Sequence, residues 1–388
     1  MKLKDIGKIV TGKTPSTKQL GNFSELDDKY LFVTPRDMKD NCKYIESTER
    51  YLTSFVEDKF KSQIIKKDSV CISCIGSDMG KVYMINRLGI TNQQINSITD
   101  IKDICNPHYL YYYFSDKKEY LKGIASGSTM PILNKSTFEN IEIDLPARNI
   151  QDKIVKILNN IDNKIELNNQ TNDNLLELIN DLYKESFSNI EGYKQADEIA
   201  NITIGKTPPR SNRECFTYNE DDIKWLSISD LGKCGMYAWN TSEKLTEDSV
   251  NKYNVKVIPE NTIVLSFKLT IGRIAITANK MATNEAIAHF NLLDNDMIYY
   301  LYFYLKNFDY SKLGNTSSIA TAVNSKIIKA MPIGIPNKHS VLEFNNTVRP
   351  LFEKIKLNEE QNMTLTQLRD NLLPKLMNGE IDLDKIEI

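Results

Sequence analysis

A series of landmarks runs through this chain twice, about half its length apart, so it must fold as two copies of one module. Ile6-Gly7 and Gly12-Lys13-Thr14-Pro15 recur as Ile199-Ala200 and Gly205-Lys206-Thr207-Pro208, at a constant offset of 193. Phe32, Thr34, Asp37 and Met38 return at the same offset as Trp225, Ser227, Asp230 and Leu231. Gly80 and Thr91-Asn92 return as Gly272 and Thr283-Asn284, offset 192; Tyr109-Leu110-Tyr111 returns as Tyr300-Leu301-Tyr302, offset 191. Asn134 and Pro146 return as Asn324 and Pro336 at 190, so the order of landmarks survives three single-residue gaps. Solenoid repeats run about 20 to 50 residues. A period this long is a whole domain plus a connector, and it suits a partner that itself has two similar halves.

Composition narrows the class. With 388 residues, 41% hydrophobic and 26% charged, the chain has the make-up of a soluble globular protein with room for two cores. Its opening, Met1-Lys2-Leu3-Lys4-Asp5, is too polar for a signal peptide, and no apolar run approaches membrane-spanning length. The expectation is a cytoplasmic protein with no membrane partner, its six cysteines reduced. The net charge of −2 excludes a protein that grips nucleic acid by its own phosphate contacts alone. If it meets DNA, partners must supply much of the electrostatics.

Each half repeats one internal plan. Short β-rich runs, such as residues 69–75 and 262–267, are separated by Gly, Asn and Asp. An aromatic segment follows, 109–114 and 298–305, read as a helix because Asn106-Pro107 and Asn295-Asp296 resemble helix starts. A long helical pattern comes after Pro146 and again after Pro336. Its apolar positions are Ile150, Ile154, Ile157, Ile161, Ile165, Leu175, Ile179 and Leu182 in the first copy. In the second they are Phe344, Val348, Leu351, Ile355, Leu365, Leu368 and Leu372. Each helix therefore carries a single apolar stripe. The first, over about 151–187, would span about 55 Å at 1.5 Å per residue. Asn168 and Asn172 fall on the first stripe, and Asn358 and Asn362 on the second. Either they fix register inside the seam, at a cost in stability, or the helices part there and the amides face water. Pro374 should kink or end the second helix, with Asn378-Gly379 as a cap.

The fold class expected is α+β: two duplicated mixed modules joined by two long, antiparallel, coiled-coil-like helices with pseudo-two-fold symmetry. The divisions fall at 1–146 for the first module, 147–190 for the central helix, 191–336 for the second module and 337–388 for the C-terminal helix and tail.

Motifs that look catalytic lack their context. Gly7-Lys8-Ile9-Val10-Thr11-Gly12-Lys13-Thr14 matches the P-loop pattern, but that pattern needs a helix whose N-terminal amides hold phosphate. Pro15 follows at once, and the second copy has Ala200 in place of the first glycine. Asn106-Pro107-His108-Tyr109 resembles an amino-methyltransferase signature but lacks its second proline. Cys71-Ile72-Ser73-Cys74 is a lone pair, where zinc needs a second set of ligands. His108, His289 and His339 are scattered, and acidic pairs such as Asp221-Asp222 lie in polar stretches.

What recurs in both halves is a set of polar segments flanked by core. In the first module the candidate DNA contacts are Lys13, Thr14, Ser16, Thr17, Lys18, Arg36, Asp37, Ser77, Asp78, Asn92, Gln93, Gln94, Ser128 and Thr129. In the second they are Lys206, Thr207, Arg210, Ser211, Arg213, Ser229, Asp230, Lys268, Thr270, Asn284, Glu285, Asn315, Thr316 and Ser317. Asn, Gln, Arg and Lys read base edges, while Ser, Thr and Lys anchor phosphates. Identities change between the copies, with Gln93-Gln94 becoming Glu285-Ala286, as one scaffold reading two sequences requires.

On these residues the chain resembles the specificity subunit of type I restriction-modification systems, over essentially its whole length. The resemblance rests on the duplicated layout, the two Gly-Lys-Thr-Pro turns and the prolines Pro146 and Pro336. The ending Leu372-Leu373-Pro374-Lys375-Leu376-Met377-Asn378-Gly379-Glu380-Ile381 completes it. It implies a non-catalytic DNA-recognition subunit whose two modules read the halves of a bipartite, asymmetric site in double-stranded DNA. The helices would set the gap and dock two methyltransferase subunits, with restriction subunits joining them. It also implies no cofactor in this chain, S-adenosylmethionine, ATP and Mg²⁺ belonging to the partners. The alternatives are a two-module adaptor that binds proteins and a fragment of a self-sufficient methyltransferase.

Overall fold

A computed structural model describes the chain except residues 20, 39–41, 77, 128–130, 189, 191, 314–322 and 386–388, and the side chain of Asp384. Two compact units emerge: Met1–Glu166 with Met363–Ile388, and Leu167–Asn362.

In the first unit the strands are β1 (Lys8–Thr11), β2 (Phe23–Ser24), β3 (Tyr30–Val33), β4 (Tyr44–Ile45) and β5 (Tyr51–Leu52). After them come β6 (Val70–Ser73), β7 (Val82–Ile85), β8 (Gly89–Thr91) and β9 (Ile95–Thr99). They form two mixed sheets, ordered β1-β9-β6-β7-β4 and β2-β5-β3-β8. In β6, successive side chains point to opposite faces. Val70, Ile72 and Cys74 face Leu110 and Phe114 of the aromatic helix, while Cys71 packs with Leu31 and Val33 of the other sheet. This splits the Cys71/Cys74 pair between two cores, where burial pushes the thiols up to about 12 and about 11. The P-loop match fails for an equally local reason, since Lys8–Thr11 is itself a strand inside the motif.

The aromatic segment is a helix, Pro107–Asp116, as expected. Asn106 caps it by accepting from His108 N at 2.9 Å, and proline occupies the first turn, where its missing N–H costs nothing. The central helix runs Arg148–Ser186.

The second unit repeats the plan. Its strands are β10 (Gly192–Gln195), β11 (Ala200–Ile204), β12 (Phe216–Thr217), β13 (Ile223–Leu226), β14 (Tyr237–Ala238) and β15 (Glu243–Leu245). The remainder are β16 (Val257–Ile258), β17 (Ile263–Ser266), β18 (Ile274–Thr277), β19 (Met281–Thr283), β20 (Ile287–Leu292) and β21 (Pro332–Ile335). The order β11-β20-β17-β18-β14 reproduces the first sheet strand for strand, and β12-β15-β13-β19-β16 reproduces the other with β16 added. The addition is small, because an isolated Ile65–Gly89 bridge occupies the same place in the first unit. The aromatic helix is Ile298–Lys306, entered through a 3₁₀ turn capped by Asp294. The C-terminal helix runs Lys338–Met377.

Both long helices pack together. Within the first unit Ile154, Val155 and Leu158 meet Leu373 and Leu376 against Tyr109 and Tyr112. Within the second, Ile179 and Phe187 join Phe344, Val348, Phe352 and Ile355. The stripe asparagines are seam residues: Asn358 donates to Asn172 Oδ1 at 2.8 Å, and Asn168 donates to Asn362 Oδ1 at 2.8 Å. Partner numbers fall as the first number rises, so the helices run antiparallel. Two expectations need correction. The helix does not end at Pro374 but runs on to Met377, because Leu373 and Leu376 are held in the core; the Asn378-Gly379 cap is as expected, a Schellman turn with Gly379 at φ 70°. Leu368 is 46% exposed; Arg369 holds the neighbouring inward position and pairs with Asp162 at 3.1 Å.

Candidate nucleic-acid interface

In each unit the candidate loops gather around one tight turn between two strands. In the first unit this is Thr91–Ile95, closed by Ile95 N on Asn92 O at 3.2 Å. Lys13 N donates to Thr91 O at 2.9 Å, Asn92 N to Val33 O at 2.8 Å and Cys74 N to Gln94 O at 2.7 Å. The turns after β1, β3 and β6 are thus stitched to the turn before β9. Leu133 N also donates to Cys74 O at 2.9 Å.

The second unit has the same bonds from the matching residues. Ile287 N donates to Asn284 O at 3.2 Å, Lys206 N to Thr283 O at 2.9 Å, Asn284 N to Leu226 O at 3.1 Å and Phe267 N to Ala286 O at 2.9 Å. Gly12 and Gly205 are required by contact. A Cβ on either would lie 2.1 Å from the backbone oxygen of Asn92 or Asn284. Thr14 Oγ1 donates to Gln93 Oε1 at 2.7 Å, and Thr207 Oγ1 donates to the Glu285 carboxylate in the same way. The frame is constant while the acceptor changes from amide to carboxylate.

Several candidates spend their polar atoms on this frame. Asp37 accepts from Thr34 N at 2.8 Å, Thr34 Oγ1 at 2.7 Å and Glu49 N at 2.9 Å. Asp230 accepts from Ser227 N at 3.3 Å, Ser227 Oγ at 2.8 Å and Ser242 Oγ at 3.1 Å. Asn92 and Asn284 turn their Oδ1 atoms back onto Gln94 N and Ala286 N. Gln94 Oε1 takes the Asn92 amide at 2.9 Å, and Asp78 pairs with Lys81 at 3.1 Å. Ser16 Oγ accepts from Lys18 N at 3.3 Å.

The exposed ends are Lys13, Thr17, Lys18, Arg36 and Gln93 in the first unit, and Lys206, Ser211, Arg213, Ser229, Lys268 and Thr270 in the second. Arg210 is also exposed but grips Glu243 through Nη1 at 2.8 and 2.9 Å. Ser77, Ser128, Thr129, Asn315, Thr316 and Ser317 lie outside the described residues. Sequence reasoning missed Arg50 and Glu243, whose placement depends on strand register and leaves no local motif.

His289 lies in β20 between Thr203 Oγ1 (2.8 Å) and Thr283 Oγ1 (2.7 Å), and burial lowers its pKa to about 4, with Lys256 adding to the effect. It is a neutral core histidine. Among the described residues no group of His, Cys, Asp or Glu could hold a metal ion, and no described helix is long and apolar enough to cross a membrane.

Comparison with known proteins decides the family. Residues 1–177 and 190–367 each match the type I restriction modification DNA specificity domain. The chain belongs to this family. A relative in Methanocaldococcus jannaschii, the type I restriction enzyme MjaIX specificity subunit, is 30% identical over 99% of this chain and 94% of its own length. The HindI specificity subunit of Haemophilus influenzae is 24% identical over 82% of this chain and 87% of its own. A solved S subunit of a type I restriction-modification system from M. genitalium has the same fold, with a TM-score of 0.56 at 14% identity. That alignment covers 97% of this chain and 95% of the other.

Proposed function

We propose that this specificity subunit reads a bipartite, asymmetric site in double-stranded DNA, one half with each module. One observation carries the reading. The same loop frame is built twice on the same backbone bonds, and the side chains presented from it differ, as with Gln93 and Glu285. A protein that bound two identical halves would have no reason to diverge there. The long helices dock two methyltransferase subunits, and restriction subunits join the complex. The chain itself is non-catalytic, and S-adenosylmethionine, ATP and Mg²⁺ are held by the partners. Its slight net negative charge fits this division of labour, because the partners supply the cationic clamp on the phosphates.

The test is an exchange of residues 1–146 for those of a relative, followed by methylome sequencing of the host. One half of the methylated motif should change and the other persist. A motif with both halves unaltered would sink the assignment.

A further inference from the structure

Each module carries the same three-part stack, two rings that correspond in sequence and an arginine that does not. In the first unit Phe23 and Phe32 meet edge to face, centroids 5.2 Å apart at 81°. In the second unit the matching residues Phe216 and Trp225 meet at 5.6 Å and 77°. A guanidinium covers both pairs. Arg50 Cζ lies 4.7 Å from the Phe23 ring and 5.5 Å from Phe32, while Arg210 Cζ lies 4.1 Å from Phe216 and 4.7 Å from Trp225.

The two arginines arrive from different places. Arg50 precedes β5, one step beyond the Leu31–Tyr51 pairing, which sets it across from Phe32. Glu243 holds that position in the second unit, across from Trp225. An acid there cannot cover the rings as a cation, and Arg210 reaches in from the turn after Pro208-Pro209. Its Nη1 bonds both Glu243 oxygens, which fixes the orientation of the group. The second module has no arginine at the first position and carries one at another, with the guanidinium over the matching two rings. Packing alone would be satisfied by any apolar side chain. A guanidinium supplied from a different position in each module points to a use for its N–H groups.

Both stacks adjoin the Gly-Lys-Thr-Pro turn. Trp225 Nε1 donates to Lys206 O at 3.2 Å, and Lys13 Nζ lies 5.8 Å from the ring of Phe60, which packs in one cluster with Phe32. A guanidinium held against the rings can still present N–H groups to a ligand, and its planar fork matches two acceptors in one plane. In the major groove those acceptors are O6 and N7 of guanine.

We propose that Arg50 and Arg210 are equivalent specificity-determining residues, each reading a guanine in its own half-site, with Glu243 as a positioning residue for Arg210. This rests on the two-module DNA reading above. The test uses the full chain produced with the methyltransferase subunit of its own system, with methylation read base by base. Arg50→Lys keeps the charge and loses the fork; Arg50→Met keeps the packing stem and loses both. Each should relax one guanine position in one half-site by about tenfold in discrimination and leave the other half intact. Arg210→Lys and Arg210→Met should do the same in the opposite half.

Motifs unchanged in all four variants would reduce the stacks to packing. An even loss of methylation across all positions would make the arginines phosphate contacts. Either result overturns the proposal. If the unaltered complex methylates an undivided motif, the two-module reading itself fails and takes this inference with it. A bipartite motif indifferent to the variants sinks this inference alone.

Discussion

The two modules share a backbone and differ in the chemistry hung upon it. Wherever the frame is held by main-chain bonds, as at Lys13 N–Thr91 O and Lys206 N–Thr283 O, the copies agree to the residue. Some of the side-chain fastenings diverge. Thr11 Oγ1 bonds Asn96 in β9, where the matching pair in the second unit is Ile204 and Ala288; Thr203 Oγ1 bonds His289 in β20, where the first unit has Val10 and Ser97. The contrast is sharpest where each module meets a long helix. Ahead of β4, Lys43 bonds Asn159 of the central helix and lies 4.4 Å from the Tyr112 ring. Ahead of β14, at the matching place, the charge comes from the other side. Glu359 of the C-terminal helix accepts from Met236 N at 2.8 Å, Tyr237 N at 3.2 Å and Trp239 Nε1 at 2.9 Å. Backbone geometry constrains a duplicated scaffold more tightly than the means of fastening it.

The strongest way to break this comparison is at the shared glycines. Gly12→Ala and Gly205→Ala would each drive a methyl group into a backbone carbonyl that other bonds hold in place, so neither side can yield cheaply. Each should cost about 3 kcal/mol, at the upper end for overpacking. The check is thermal or denaturant unfolding of the full chain. Equal losses are expected. A large loss at one glycine and none at the other would show that the two turns are not the same structure.

The helix anchors should separate the modules by the sign of their pH response. Burial raises the Glu359 pKa to about 7 from 4.5, against the lowering effect of its three donors. The folded state therefore holds this proton more tightly than the unfolded state. Its stabilising contribution is complete below about pH 4.5 and is lost as pH rises through 7. Burial lowers the Lys43 pKa to about 8 from 10.5, with Asp162 and Asp68 opposing the shift. That contribution is complete above about 10.5 and is lost as pH falls through 8. Each amounts to about 3 kcal/mol across its window. Subtracting the stability of Glu359→Gln from that of the parent should leave a curve that falls from pH 4.5 to 7. Subtracting Lys43→Met should leave one that rises from 8 to 10.5. Two curves of the same sign would mean that the anchors do not work by opposite charges.

Much of this was legible in the sequence because periodicity and punctuation are local signals. The stripe from Ile154 to Ile179 announced its helix, and Asn106-Pro107 announced the start of another. The role of Asn168 and Asn172 stayed open, because an amide on a stripe is decided by what faces it, and Asn358 and Asn362 face it only once the helices pair. Pro374 misled for a similar reason. A proline removes one hydrogen bond near a helix end, and burial of Leu373 and Leu376 outweighs that loss. At the candidate site the sequence located the loops but did not tell presented groups from framework. Asp37 and Asn92 look like readers until their acceptors are seen to be occupied by the turn. Arg50 was beyond reach, since its register partner in the second unit is Glu243 and it matches Arg210 only in lying over the equivalent pair of rings.

The smallest thermodynamic effect belongs to the most informative exchange. Gln93 and Glu285 occupy one position in the two copies, both exposed, each accepting from the threonine of its Gly-Lys-Thr-Pro turn. Gln93→Glu and Glu285→Gln each preserve an acceptor for that threonine, so the unfolding free energy should change by less than about 0.5 kcal/mol. Recognition should respond much more. A carboxylate accepts from a cytosine amino group and repels phosphate, whereas an amide pairs bidentately with adenine. Each exchange is expected to alter the methylated motif in one half-site only, and in opposite halves. If both exchanges left the motif untouched while stability also held, this turn would belong wholly to the frame. The reading surface would then narrow to the guanidinium stacks and the remaining exposed ends of the neighbouring loops.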